Sequence, residues 1–184
     1  MKIFNLLLLF FCTSGGSALQ ANELTIATFN VSMESENYVP AGTKLGPHVL
    51  ADLLAKGNHP QIKNIAAIIQ QVQPDILLLN EFDYIDDPKQ GIELFINNYL
   101  SVSQNGGSPI NYPYYFYQTV NTGVPSGFDL DRNGKANQGA EDAWGFGHYP
   151  GQYGMMILSK FPLDRANTRT FQHFKWRDMP GHRR

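Results

Sequence analysis

The sequence predicts an α/β fold, and three observations carry that reading. An alternating, β-branched segment at Leu24–Asn30, an amphipathic segment at 61–72 and a continuous apolar run at Ile76–Leu79 succeed one another as strand, helix and strand. Both strand segments end in polar residues, Asn30 and Asn80–Glu81, and ligands of α/β proteins collect at such carboxyl ends. Hydrophobic residues make up 42% and charged residues 16% of the 184, a balance that packs a core and argues against wholesale disorder. At roughly 100–200 residues per domain, the chain holds one.

The elements follow in order. Lys2 precedes an apolar run from Leu6 to Phe11 and the small residues Ser14 to Ala18, which reads as a signal peptide over residues 1–21, cleaved after Ala18 or Ala21. A secreted or periplasmic destination is expected. The run is shorter than the roughly 20 apolar residues a membrane helix needs, and no other segment approaches that length, so no membrane span is predicted. Cys12, the single cysteine, leaves with the signal and no disulfide remains. Leu24, Ile26 and Phe29, with Thr25 and Thr28 between them, then form the first strand. Pro40, Gly42, Gly46 and Pro47 break the next stretch before a short helix over Val49–Lys56.

Ile62, Ile65, Ala66, Ile68, Ile69 and Val72 recur at helical spacing, which predicts a helix over Gln61–Val72 that Pro74 stops. Ile76–Leu79 lacks alternation, as strands buried on both faces do. A second helix is predicted over Pro88–Tyr99, with Pro88 in its first turn, Asp86 or Asp87 as cap and Ile92, Phe95, Ile96 and Tyr99 facing inward. Tyr114–Val120 reads as a strand. Residues 121–154, dominated by Gly, Pro, Asn and Asp, read as a structured insertion, since compact domains seldom carry so long an idle connection. Met155–Leu158 resume a buried strand, and a last strand is expected over Thr168–Trp176.

Fourteen Lys plus Arg against sixteen Asp plus Glu give a net charge of −2. No global field draws such a protein to nucleic acid or anionic lipid, so a phosphate-bearing substrate must be held locally.

Three stretches, LTIATFN at 24–30, PDILLLNE at 74–81 and GQYGMMILSKFPL at 151–163, together resemble the endonuclease/exonuclease/phosphatase superfamily of metal-dependent phosphoesterases. The resemblance implies a two-layered β sandwich flanked by helices, incomplete here, with the site at the strand ends. It also implies that Asn30 is the asparagine ending the first strand and Glu81 the glutamate that binds Mg2+ or Mn2+. Chemistry agrees independently. A hard divalent cation takes one or two carboxylates plus water and phosphate oxygens, and Asn30 can orient a ligand without adding charge. Gln152 and Tyr153 stand where related enzymes place a substrate-contacting polar or aromatic side chain: Gln152 matches better by position, Tyr153 by chemistry.

Asp129, Asp131 and Asn133 followed by Gly134 reproduce positions 1, 3, 5 and 6 of a calcium loop, and Asn137 would supply position 9. Position 12 is Ala140, with Glu141 one residue late and Asp142 two late. A looser Ca2+ site in the 129–140 loop is expected in place of a helix-flanked EF-hand. The segment DAWGFGHYPGQYG that follows resembles a secreted bacterial branch of the same superfamily.

Superfamily enzymes complete their site with a Gly-Asp-x-Asn motif and a Ser-Asp-His or Asp-His motif, and neither occurs in the chain. The expectation is therefore an N-terminal portion (22–184) of such a domain, a phosphoesterase that is inactive as it stands. Its substrate is a phosphate ester whose class these motifs do not distinguish. The competing reading is a secreted calcium-binding or ligand-binding module without catalysis.

Overall fold

The computed structural model describes residues 23–182. The signal peptide expected over residues 1–21 lies outside them. Strand β1 (Ile26–Met33) and strand β2 (Ile76–Phe82) pair in parallel, Ile26 opposite Ile76 through Asn30 opposite Asn80. A parallel pair needs a long crossover. Helices α1 (Pro47–Lys56) and α2 (Pro60–Val72) supply it. Both carry proline in the first turn, where a missing N–H costs nothing, and both end on a left-handed residue, Gly57 and Gln73. The α2 residues Ile62, Ile65, Ala66 and Ile69 are buried in the core that covers one face of the sheet, together with Val31, Met33, Leu77 and Leu79.

Strand β3 (Tyr114–Tyr117) and strand β4 (Met155–Ser159) complete an open, mixed sheet in the order β1-β2-β4-β3, with β4 antiparallel to both neighbours. The α/β class predicted from the sequence is what the chain adopts: a four-stranded sheet flanked by helices. The face away from α2 stays apolar. Ile26 is 66% exposed there, and Leu78, Phe116, Ile157 and Phe171 line an open cavity of about 600 Å³.

Three expected elements differ. The helix expected over Pro88–Tyr99 starts late, because the Asp87 carboxylate accepts the Lys89 N–H at 3.0 Å and closes a turn over Pro88–Gln90. Helix α3 (Ile92–Phe95) then follows and widens into a π-turn over Ile96–Leu100. Strand β3 stops at Tyr117, not Val120, because its partner strand begins there. Gly154 and Gly151 turn toward β2 and accept the N–H groups of Phe82 (3.1 Å) and Tyr84 (2.8 Å), leaving 118–120 without a ladder. The strand expected over Thr168–Trp176 is irregular. Among the described residues its backbone joins no strand, and the Asn121 amide donates to the Gln172 carbonyl (2.9 Å).

The insertion at 121–154 is compact for a local reason. Gly123 has φ of 70°, and a Cβ there would overlap the Tyr149 carbonyl, so only glycine lets the two backbones meet. That contact brings Tyr149 and Tyr153 toward the carboxyl ends of β1 and β2.

Candidate functional site

Parallel pairing puts the carboxyl ends of β1 and β2 at one edge of the sheet. The chain leaves both strands through strained backbone: Ser32 (φ 47°) and Glu81 (φ 57°) are left-handed without being glycine, and the register shifts between Asn30 and Met33. Each such residue costs on the order of 1 kcal/mol, and strain of this kind concentrates at functional sites. Here it brings side chains together. The Ser32 hydroxyl lies 3.4 Å from both Asn30 Oδ1 and Glu81 Oε2, and the Ser32 N–H donates to Asn30 Oδ1 at 3.1 Å. Asn30 and Glu81 therefore converge on one hydroxyl.

Two more carboxylates stand beside them: Glu34, directly after β1, and Glu36, in the 3₁₀ turn Ser35–Asn37 that follows. Glu34 is only 6% exposed. Burial raises its pKa first, and the charges of Glu81 and Glu36 add to the rise. Its Oε1 accepts the Asn37 amide, which also donates to the Ser32 carbonyl at 3.0 Å. The Tyr153 hydroxyl lies 3.5 Å from Glu36 Oε2, and its pKa rises by burial and then under the charges of Glu36, Glu34 and Glu81 together. Among the described residues no Lys or Arg pairs with Glu34, Glu36 or Glu81; His148, 3.9 Å from Glu36, is the nearest basic group.

A buried network braces this edge from behind. Tyr149 Oη donates to Asp83 Oδ2, which also accepts the Ser35 N–H at 3.0 Å, while the Ser35 hydroxyl donates to Tyr149 Oη at 2.9 Å. Asp83 is fully buried, and burial pushes its carboxyl up to about 6 against the lowering effect of these donors. The network joins the segment after β1, the segment after β2 and the insertion.

Of the residues singled out in the sequence, Asn30, Glu81 and Tyr153 share this edge. Gln152 does not offer itself to a substrate: it is fully buried and its Oε1 accepts the His148 N–H at 2.6 Å, so it closes the 148–152 turn. Asp129 and Asp131 lie elsewhere, in the insertion. There Asp142, not a twelfth-position residue, joins them, and ligand atoms of the three fall within 4.8 Å of one another, a group that can hold a divalent metal ion. Asn133 is exposed and engaged within the turn, its amide donating to Asp131 Oδ2 (2.8 Å) and its oxygen accepting the Lys135 N–H (2.9 Å). The expected ninth-position ligand, Asn137, instead accepts the Gly127 N–H at 2.8 Å.

Sequence reasoning missed Ser32, Glu34, Asp83 and Tyr149. The one available signal was the alternation of Glu34 and Glu36 directly after a strand that ends in asparagine.

A hard divalent cation fits the strand ends by donor chemistry: carboxylate, amide and hydroxyl oxygens converge, and among the described residues no Lys or Arg pairs with the carboxylates. One protein family, described as the Endonuclease/Exonuclease/phosphatase family, has a model that matches residues 27–184. No curated protein and no solved structure matches the chain.

Proposed function

The chain belongs to the endonuclease/exonuclease/phosphatase family, and from that premise we propose that the edge built by Asn30 and Glu81 is the metal- and phosphate-binding part of a phosphoesterase site. Glu81 holds Mg2+ or Mn2+, with Asn30 completing the ligand set or orienting a phosphate oxygen, and Tyr153 contacts the phosphate ester. The cation, when bound, supplies Lewis acidity to the phosphoryl oxygen and offsets charge growing on the leaving group. The observation that carries this reading is the convergence of Asn30 and Glu81 on the Ser32 hydroxyl, with no Lys or Arg among the described residues paired to the carboxylates there.

The protein's own residues do the positioning. Ser32 keeps Asn30 and Glu81 at a fixed spacing, and the Asp83–Tyr149–Ser35 network holds the two chain segments that carry them. Water activation is a separate requirement, because a Lewis acid alone does not place an attacking water in line with the leaving oxygen. The 184 residues contain no Gly-Asp-x-Asn and no Ser-Asp-His, so cation and phosphate binding are assigned to this chain and a complete hydrolytic cycle is not.

A second metal role is supported by the Asp129, Asp131 and Asp142 group, which we assign to structural Ca2+ away from the reaction. The signal peptide expected over residues 1–21 would send the protein to a secreted or periplasmic setting, where millimolar calcium is met.

Titration with Mn2+, followed by electron paramagnetic resonance of the free ion, tests the main reading. Glu81→Ala should weaken binding at the strand ends by at least about tenfold, and inorganic phosphate should bind only in the presence of the metal. A generic phosphodiester should be hydrolysed at background rate. Unchanged Mn2+ affinity in Glu81→Ala would remove Glu81 from the site, and robust metal-dependent turnover would show that the catalytic inventory is complete in these residues.

A further inference from the structure

Glu34 has no place in the sequence pattern, and its surroundings make its charge costly. It is 6% exposed, and while Asn37 fixes its Oε1, its Oε2 is buried with no donor at all. Buried charges are paired, hydrogen-bonded or bound to metal, because transfer out of water is otherwise prohibitive. Pairing is not on offer, since no Lys or Arg among the described residues reaches it. The charges close enough to act on it, Glu81 and Glu36, have its own sign and add to the cost.

What would relieve this arrangement is a cation between carboxylates, and the geometry selects which pair. Glu81 already shares the Ser32 hydroxyl with Asn30, and the Ser32 carbonyl accepts the same Asn37 amide that fixes Glu34. Ser32 thus connects both carboxylates, Glu81 through its hydroxyl at 3.4 Å and Glu34 through the shared Asn37 amide. Glu36 is half exposed and is engaged by Tyr153 and His148 at the rim. Among the described residues only the loop aspartates form a group of three ligands within 4.8 Å, so the strand-end carboxylates do not close a triad, and Glu34 and Glu81 are the two that Ser32 and Asn37 connect. A pair suits a cation that keeps several waters and takes one or two carboxylates.

We propose that Glu34 is a second carboxylate ligand, beside Glu81, for a divalent cation at the strand ends. The proposal rests on the assignment of Glu81 made above, and its test separates the two. All proteins carry Asp129→Asn and Asp131→Asn so that the loop does not contribute, and each is titrated with Mn2+ and melted with and without the metal.

Glu34→Gln keeps the acceptor for Asn37 and removes only the charge. It should weaken Mn2+ binding about tenfold, and Glu36→Gln less than twofold. Without metal, Glu34→Gln should melt higher than its parent, because a buried charge with no partner has been removed. The melting increment produced by Mn2+ should shrink to that of Glu81→Gln. If Glu81→Gln weakens binding and Glu34→Gln does not, the inference about Glu34 falls and the Glu81 assignment stands. If neither weakens it, both fall. A lower melting temperature in Glu34→Gln with an unchanged Mn2+ increment would make Glu34 a structural residue and also overturn the inference. Should Glu34→Gln not fold, Glu34→Asp retains the charge but shortens its reach by one methylene; Mn2+ affinity equal to the parent's would again overturn it.

Discussion

The carboxylates of the 129–142 loop and those at the strand ends are both crowded, but they are supplied with donors in opposite ways. In the loop, Asp142 accepts the N–H groups of Leu130 (2.7 Å) and Gln138 (3.0 Å), and Asp129 those of Asn133 (2.9 Å) and Gly134 (2.8 Å). The Gln138 N–H first, then the other backbone donors against the effect of burial, hold the Asp142 carboxyl below its usual range. At the strand ends Glu34 and Asp83 each keep a buried oxygen with no donor, and burial raises both. The difference teaches that a spacing resembling a calcium loop marks a turn that backbone amides already stabilise, with or without an ion. The unmet demand for positive charge lies where no motif points.

The comparison breaks first at Asp142. If the loop is held by backbone donors converging on that buried carboxylate, Asp142→Ala leaves several N–H groups unpaired at once. The expected result is the largest stability loss in this set, a fall in Tm of about 5 °C or more in metal-free buffer, read by calorimetry. A change of under about 1 °C would mean that the loop does not depend on its own hydrogen bonds, and the contrast between the regions would disappear.

Acid titration sharpens the same contrast with opposite signs. A carboxyl whose pKa is higher in the fold than in the unfolded chain takes up a proton on folding. The contribution of Asp83 to stability is therefore complete below its unfolded value of 3.8 and is lost as the pH rises through about 6. Asp142, lowered in the fold, contributes above its unfolded value and loses that contribution as the pH falls. Asp83→Asn keeps an acceptor for Tyr149 and Ser35 but cannot titrate. In chelator-containing buffer, urea unfolding at pH 4.5 and pH 7.5 should show the wild type losing more stability than Asp83→Asn over that rise, by at most about 2–3 kcal/mol. Parallel pH profiles for the two proteins would count against a buried, proton-accepting Asp83.

How much of this was legible in the residues depended on periodicity. Strand β1, helix α2 and strand β2 were legible because apolar residues recur at two and 3.6 residue spacings or run unbroken, and Asn30 and Glu81 could be placed because they end such runs. Glu34 could not. It caps a 3₁₀ turn after a register shift, where no period says which side is buried. The truncation of β3 at Tyr117 was hidden for a related reason: it is set by Gly151 and Gly154 leaving β4 for β2, a choice made by partner strands. Asp142 was passed over because the calcium pattern is counted to a twelfth position, whereas the folded loop selects the carboxylate that faces its amides.

The smallest expected effect lies at Asp131, and its smallness is what the comparison requires. Asp131 is exposed; it accepts the Asn133 N–H at 3.0 Å and the Asn133 amide at 2.8 Å, both within two residues and both replaceable by water. Asp131→Asn keeps an oxygen for the N–H and removes one negative charge from a group whose ligand atoms lie within 4.8 Å of one another. The lost amide contact and the relieved repulsion act in opposite directions, so metal-free stability should stay within about 0.5 kcal/mol of wild type. Calcium is the separate readout. With three carboxylates and no closing glutamate, the loop should bind it weakly, with Kd of roughly 10⁻⁴ to 10⁻³ M, and Asp131→Asn should abolish the calorimetric heat. Calcium heat that survives the substitution would place the ion elsewhere. A large metal-free destabilisation would show instead that the loop needs its charge pattern to fold, leaving Asp142 and its amides too weak to hold it alone.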